Sequence, residues 1–181
     1  MDLLESDPSL SSVCRAVEAR VQGADEPANL ELSVVLLLDF ESLPDLRSLP
    51  EGKARDVFRQ SPTLYQVQPQ RILINGANFF SLLPDVAEAA LAHEVGHAVC
   101  ERDSLMKLPR YKTLNSCIVA DFLACRWGFC EGLRKERLES YGPQYCEILQ
   151  LWGDEQEFIR RVSRWYQVFL AGGYRRRNQG R

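Results

Sequence analysis

The spacing of apolar residues changes along the chain, and each change predicts an element. Leu10, Val13, Val17 and Val21 recur every three or four positions, one helical face over Ser9 to Gln22, and Gly23 closes it. Leu30 to Phe40 is a nearly unbroken run rich in Val and Leu, as a buried strand is. Pro44 to Ser61 is mixed, with a short helix expected near Lys53 to Arg59. Tyr65 to Asn75 is extended and ends in Arg71-Ile72-Leu73-Ile74, a second strand, after which Asn75-Gly76 reads as a turn.

From Pro84 the helical period returns. Pro84-Asp85 suits a first turn, where proline forfeits no hydrogen bond and an acid meets the positive end of the helix. The helix is expected to reach about Cys100. Val86, Ala90, His93 and His97 form one stripe, and Ala87, Leu91 and Val95 form its neighbour. Two buried faces imply a central helix, and Ala89, Ala90, Ala92, Gly96 and Ala98 allow close approach by other elements. A second helix is expected from Asn115-Ser116 to Trp127-Gly128, with glycine at its end. Glu131 to Ser140 is charged and reads as a solvated helix. Another helix starts at Pro143. The last has Asp154 and Glu157 spaced as a capping box, with Phe158, Val162, Trp165 and Phe169 as a core stripe and Gly172 at its end.

Composition narrows the classes. The chain has 181 residues, 45% hydrophobic and 26% charged, the profile of one globular domain. A net charge of −3 gives no general attraction to nucleic acid or to anionic lipid, so neither is an expected partner. The basic tail Tyr174 to Arg181 reads as a solvated terminus. No apolar run is long enough to cross a bilayer, and Met1 to Asp7 has no basic stretch followed by an apolar one. The six cysteines, with no CxxC pair, fit reduced thiols, and a cytoplasmic location is expected.

Both histidines lie in His93-Glu94-Val95-Gly96-His97. Four residues apart on a helix, the two imidazoles can reach one metal ion, and Glu94 between them can reach a water on it. The alternative, two core histidines beside a carboxylate with no cation, would be costly to bury. A catalytic zinc takes three protein ligands and leaves one position open. With no third histidine, the remaining ligand is a carboxylate or a thiolate. Asp103, six residues after His97, is one candidate, since that offset resembles the metzincin arrangement, although that pattern has glycine where this chain has Cys100. Cys117 and Asp121, on the following helix, are the others.

The pattern His93-Glu94-x-x-His97 resembles that of zincin metallopeptidases. Cys117-Ile118-Val119-Ala120-Asp121-Phe122-Leu123-Ala124 is similar to the ExxADxxA segment of gluzincins, with Cys117 in place of the ligand glutamate. The resemblance covers about residues 65 to 128. It implies an α+β zincin-like fold: a small mixed sheet on an active-site helix and a ligand helix. Residues 1–130 would form the metal-binding catalytic domain, and 131–181 a helical extension packed on it. It also implies a zinc peptidase with His93 and His97 as ligands and Glu94 as general base to a metal-activated water. Either Cys117 is the third ligand and Asp121 orients a histidine, or Asp121 binds directly. By the same analogy Arg71 to Asn75 would be the sheet edge that receives an extended peptide, and Tyr111, Tyr141 or Tyr145 would supply a second oxyanion donor. A thiolate ligand would weaken Lewis acidity and add sensitivity to oxidation. Arg102 to Lys112 would lie near the cleft, as a lid or a plain connection. The expected partner is a protein or peptide substrate, with room for a regulatory protein. Two other readings stay open: a non-catalytic zinc-stabilised interaction module, and a hydrolase of non-peptide amides or esters.

Overall fold

The computed structural model describes residues 2–5, 7–24, 30–37 and 60–171. The short helix expected near Lys53 to Arg59, the strand beyond residue 37, Gly172 and the basic tail lie outside them. Four strands form one mixed sheet: β1 (Asp2–Glu5), β2 (Glu31–Leu37), β3 (Thr63–Gln66) and β4 (Arg71–Asn75), in the order β1-β2-β4-β3. β1, β2 and β4 run parallel, and β3 returns antiparallel to β4. β1 escaped the pattern reading because it is only four residues long and buries little beyond Leu3.

The extended run Tyr65 to Asn75 is therefore two strands joined by a turn at 67–70. This overturns the expectation that Arg71 to Asn75 is the open edge. β4 has a neighbour on each side, and among the described residues the edge beside the helices is β3. Asn75-Gly76 is likewise no simple turn. The Asn75 side chain accepts from the Asn78 amide and starts a one-turn helix, α2 (Gly76–Phe79).

The helices are α1 (Ser11–Gly23), α3 (Pro84–Arg102), α4 (Ser116–Ala124), α5 (Cys130–Tyr141), α6 (Pro143–Leu149) and α7 (Glu155–Ala171). α3 is the central one, packed against α1, α4, α5 and β3. Its two apolar stripes have no solvent-facing side over most of its length, as the pattern required. Two glycines set the depth of packing around it. A Cβ on Gly96 would lie 2.9 Å from the Cα and the carbonyl oxygen of Ala120, so the α3–α4 crossing needs a hydrogen there. A Cβ on Gly132 would lie 2.2 Å from the carbonyl oxygen of Asp85, so α5 meets the start of α3 backbone to backbone.

α4 passes into α5 through a π-helical turn at Cys125–Phe129, where Gly128 takes φ 92°. That conformation suits glycine and ends the expected second helix near Gly128. At α7, Asp154 Oδ1 accepts from the Glu157 amide at 3.0 Å. The box is only half formed, because the Glu157 carboxylate turns to Arg160 and Arg161. Phe158 and Val162 are buried, and Trp165 packs on Tyr141, Tyr145 and Phe169. All six cysteines are free thiols, and no described helix is long and apolar enough to cross a membrane.

Candidate metal centre

The α3–α4 crossing builds the site. His93 and His97 are one helical turn apart on α3, and their Nε2 atoms stand 3.1 Å from each other. Two nitrogens about 2.0–2.1 Å from one tetrahedral zinc would be about 3.3 Å apart, so the imidazoles already hold that separation. Because Gly96 admits Ala120, the first turn of α4 lies against them. Asn115 caps this helix, its Oδ1 accepting from the Cys117 amide at 2.8 Å, and that fixes Cys117 facing α3. One ligand atom each from His93, His97 and Cys117 lies within 4.8 Å of the others. Among the described residues this is the one group of three or more such side chains that could hold a metal ion. Two nitrogens and one sulfur form a donor set that suits zinc.

Asp121, one turn further along α4, stands behind the ligands and is fully buried. Its Oδ1 lies 2.6 Å from His93 Nδ1, in a contact short enough to be charge-assisted although it is not aligned along the ring N–H. Arg137 of α5 donates to both Asp121 oxygens, each at 3.0 Å, and the Tyr145 hydroxyl donates to Oδ2 at 2.8 Å. Burial raises the Asp121 pKa, but the charges of Arg137 and His93 outweigh it and hold the carboxyl well below the usual range. Both oxygens are engaged away from Cys117. Of the two alternatives for the third ligand, the geometry brings Cys117 to the imidazoles and keeps Asp121 as the group that orients His93. Asp103 is elsewhere, exposed after the end of α3 and paired with Arg102.

Burial and the neighbouring charges shift the two imidazoles in opposite directions. Burial works against the His93 imidazolium, but Asp121 beside it prevails and raises its pKa to about 10. Burial first, and then the charge on His93, push His97 down to about 3.

Glu94 is also buried, and both its oxygens are held by β3. Oε1 accepts from the Thr63 hydroxyl at 2.9 Å, and Oε2 accepts from the Tyr65 amide at 2.7 Å. The Asn75 amide donates to the Pro62 carbonyl, so antiparallel alternation turns the main-chain groups of Thr63 and Tyr65 outward, where Glu94 can meet them. A cavity of about 250 Å³ is lined by Thr63, His93, Glu94, His97, Cys117 and, from α5, Glu136, Arg137 and Tyr141. It adjoins a largely apolar cleft of about 400 Å³ between Tyr65, Val67, Cys100 and Met106. Ser104, Met106 and Lys107 place the segment after α3 beside this cleft.

Thr63, Tyr65, Glu136 and Arg137 were not foreseen from the sequence. Glu131 to Ser140 reads as solvated, yet Leu133 is fully buried and the Arg137 side chain is 13% exposed. A helical stripe was there to find: Leu133, Arg137 and Tyr141 recur every four residues, beside Gly132 and Glu136. Of the three tyrosines considered as oxyanion donors, Tyr111 donates to Glu155 and Tyr145 to Asp121, and Tyr141 lines the cavity. The chain matches no protein-family model, and comparisons with characterised proteins and with solved structures returned no match.

Proposed function

We propose that this chain is a zincin-like metal-dependent hydrolase acting on peptide bonds, with zinc held by His93, His97 and Cys117. The observation that carries the reading is the convergence of those three donors with Glu94 on one cavity. When bound, zinc supplies Lewis acidity to a carbonyl and makes a water acidic enough to attack near neutral pH.

The remaining work falls to the chain's own side chains. Glu94 is oriented by Thr63 and Tyr65 at one lone pair of each oxygen, which leaves further lone pairs on the cavity side. It takes the proton of the attacking water and returns it to the leaving amine. Asp121 fixes the His93 ring, and Arg137 and Tyr145 fix Asp121. The outward carbonyls of Thr63 and Tyr65 supply the edge against which an extended substrate lies.

The test is metal analysis of purified wild-type protein beside His93→Ala, Cys117→Ala and Glu94→Gln, with hydrolysis of a fluorogenic peptide library measured on the same samples. Wild type and Glu94→Gln keep one zinc per chain, and the ligand variants lose it. Turnover falls about 10²–10⁴-fold in Glu94→Gln. Equal metal in all four proteins removes the centre. One observation favours a second reading, a zinc-stabilised module without catalysis: sulfur donors are common in structural sites, and both Glu94 oxygens already serve β3. Metal content that depends on His93 and Cys117, with no hydrolysis in wild type, would select it.

A further inference from the structure

Among the described residues, the apolar cleft of about 400 Å³ beside the metal centre takes no part in the chemistry above. His97 lines both this cleft and the cavity of the metal centre, and so joins them. The walls come from the end of β3 and the turn after it (Tyr65, Val67), from α3 (Cys100) and from the segment that follows α3 (Met106). The volume lies within the range of pockets that hold small ligands. Cys100 is 3% exposed, and a buried thiol packs as a small hydrophobe. Val67 is 48% exposed, an apolar side chain left open to solvent on the cleft wall. Met106 is partly buried and unbranched, so it can adapt to an occupant. The charged lining residues Glu101 and Lys107 have opposite signs, and Glu101 already accepts from the Tyr65 hydroxyl at 2.7 Å. These two charges offset each other and give no pull on an ion of either sign.

Position says which part of a substrate would enter. Tyr65 donates from its main chain to Glu94 and from its hydroxyl to Glu101, two turns further along α3. β3 thus advances in the same direction as α3, and the cleft lies beyond Glu94 along both. On strand addition, main-chain bonds hold the peptide and neighbouring pockets read its side chains. Antiparallel pairing is the more stable arrangement per residue. A substrate paired that way on the β3 edge runs with its amino side toward Val67 and the cleft.

Resting on the proposed metal centre and its substrate edge, we infer that this cleft is a specificity pocket for a large apolar side chain on the residue just before the bond cleaved. The enzyme would then cut after leucine, phenylalanine or methionine, with Val67 and Met106 as the residues that set the choice.

Zinc-binding probes test this by calorimetry on zinc-loaded protein, with metal content measured on each sample. N-acetyl-leucine and N-acetyl-phenylalanine hydroxamates place an apolar side chain on the amino side of the zinc-binding group. N-acetyl-glycine hydroxamate places none there, and the α-hydroxamate of N-acetyl-aspartate places a charged one. Wild type is expected to bind the leucine and phenylalanine probes at least about tenfold more tightly than the glycine and aspartate probes. Val67→Asp sets a carboxylate in the cleft wall at an exposed position, where folding tolerates it. It should bring the leucine and glycine probes within about twofold. Equal binding of these two probes by zinc-loaded wild type, or a preference that survives Val67→Asp, overturns the assignment and leaves the metal centre standing. Protein that takes up no zinc overturns both.

Discussion

The cavity has two walls built on different terms. The first is the α3–α4 wall of His93, His97 and Cys117, with Asp121 behind it. Its residues lie within 29 positions of one another, each set by helical spacing on one of two helices that touch through Gly96 and Ala120. The second is the wall of β3 and α5, which brings Thr63 and Tyr65 to Glu94 and Arg137 to Asp121 across 29 to 31 positions and 16 positions. The first wall supplies donors for a cation. The second supplies hydrogen-bond partners to the carboxylates of Glu94 and Asp121, which would be costly to bury without them. The donor set is thus a local property, whereas its protonation and orientation belong to the fold.

Arg137→Met tests this division most severely. If the second wall is charge compensation, the variant leaves Asp121 and Glu136 without their shared cation and lowers unfolding free energy by about 3–5 kcal/mol. Denaturation by urea measures this, and a loss below about 1 kcal/mol would mean that the α5 wall is dispensable. Gly96→Ala attacks the first wall. A Cβ 2.9 Å from the Ala120 backbone forces α3 and α4 apart and is expected to cost about 1–3 kcal/mol. Metal affinity should fall with it, as a zinc competition titration would reveal. Unchanged affinity would show that the crossing does not set the donor spacing.

Asp121→Asn sits where the walls meet. It removes the charge that orients His93 and should weaken zinc binding about 10–100-fold while the ligands remain in place. A complete loss of binding, like that expected for Cys117→Ala, would instead argue that Asp121 is itself a ligand. The smallest effect is expected from Tyr145→Phe. The Asp121 carboxylate keeps Arg137, so losing one hydroxyl donor costs about 1–1.5 kcal/mol in thermal or chemical unfolding. A cost as large as that of Arg137→Met would transfer the main compensating role from the guanidinium to the phenol.

Much of the first wall was legible because helices are periodic. Two histidines four apart must share a face, Gly96 between them announces a close crossing, and Asn115 marks where the next helix starts. The second wall was hidden for a related reason. α5 reads as solvated because charged residues fill half of it, and only Leu133, Arg137 and Tyr141 at helical spacing betray a buried side. β3 was hidden by its length: four residues carry too little alternation to separate it from β4, and so the wrong strand was expected at the edge.

By itself the sequence determined which side chains could grip a cation, because a one-turn separation puts imidazoles side by side whatever surrounds them. It left open whether the thiol of Cys117 or the carboxylate of Asp121 would join them, since both lie on the same helix within one turn. Tertiary packing places the two differently. A guanidinium and a phenol arriving from later helices hold the acid behind His93, and the thiol in the first turn of α4 is left facing the imidazoles.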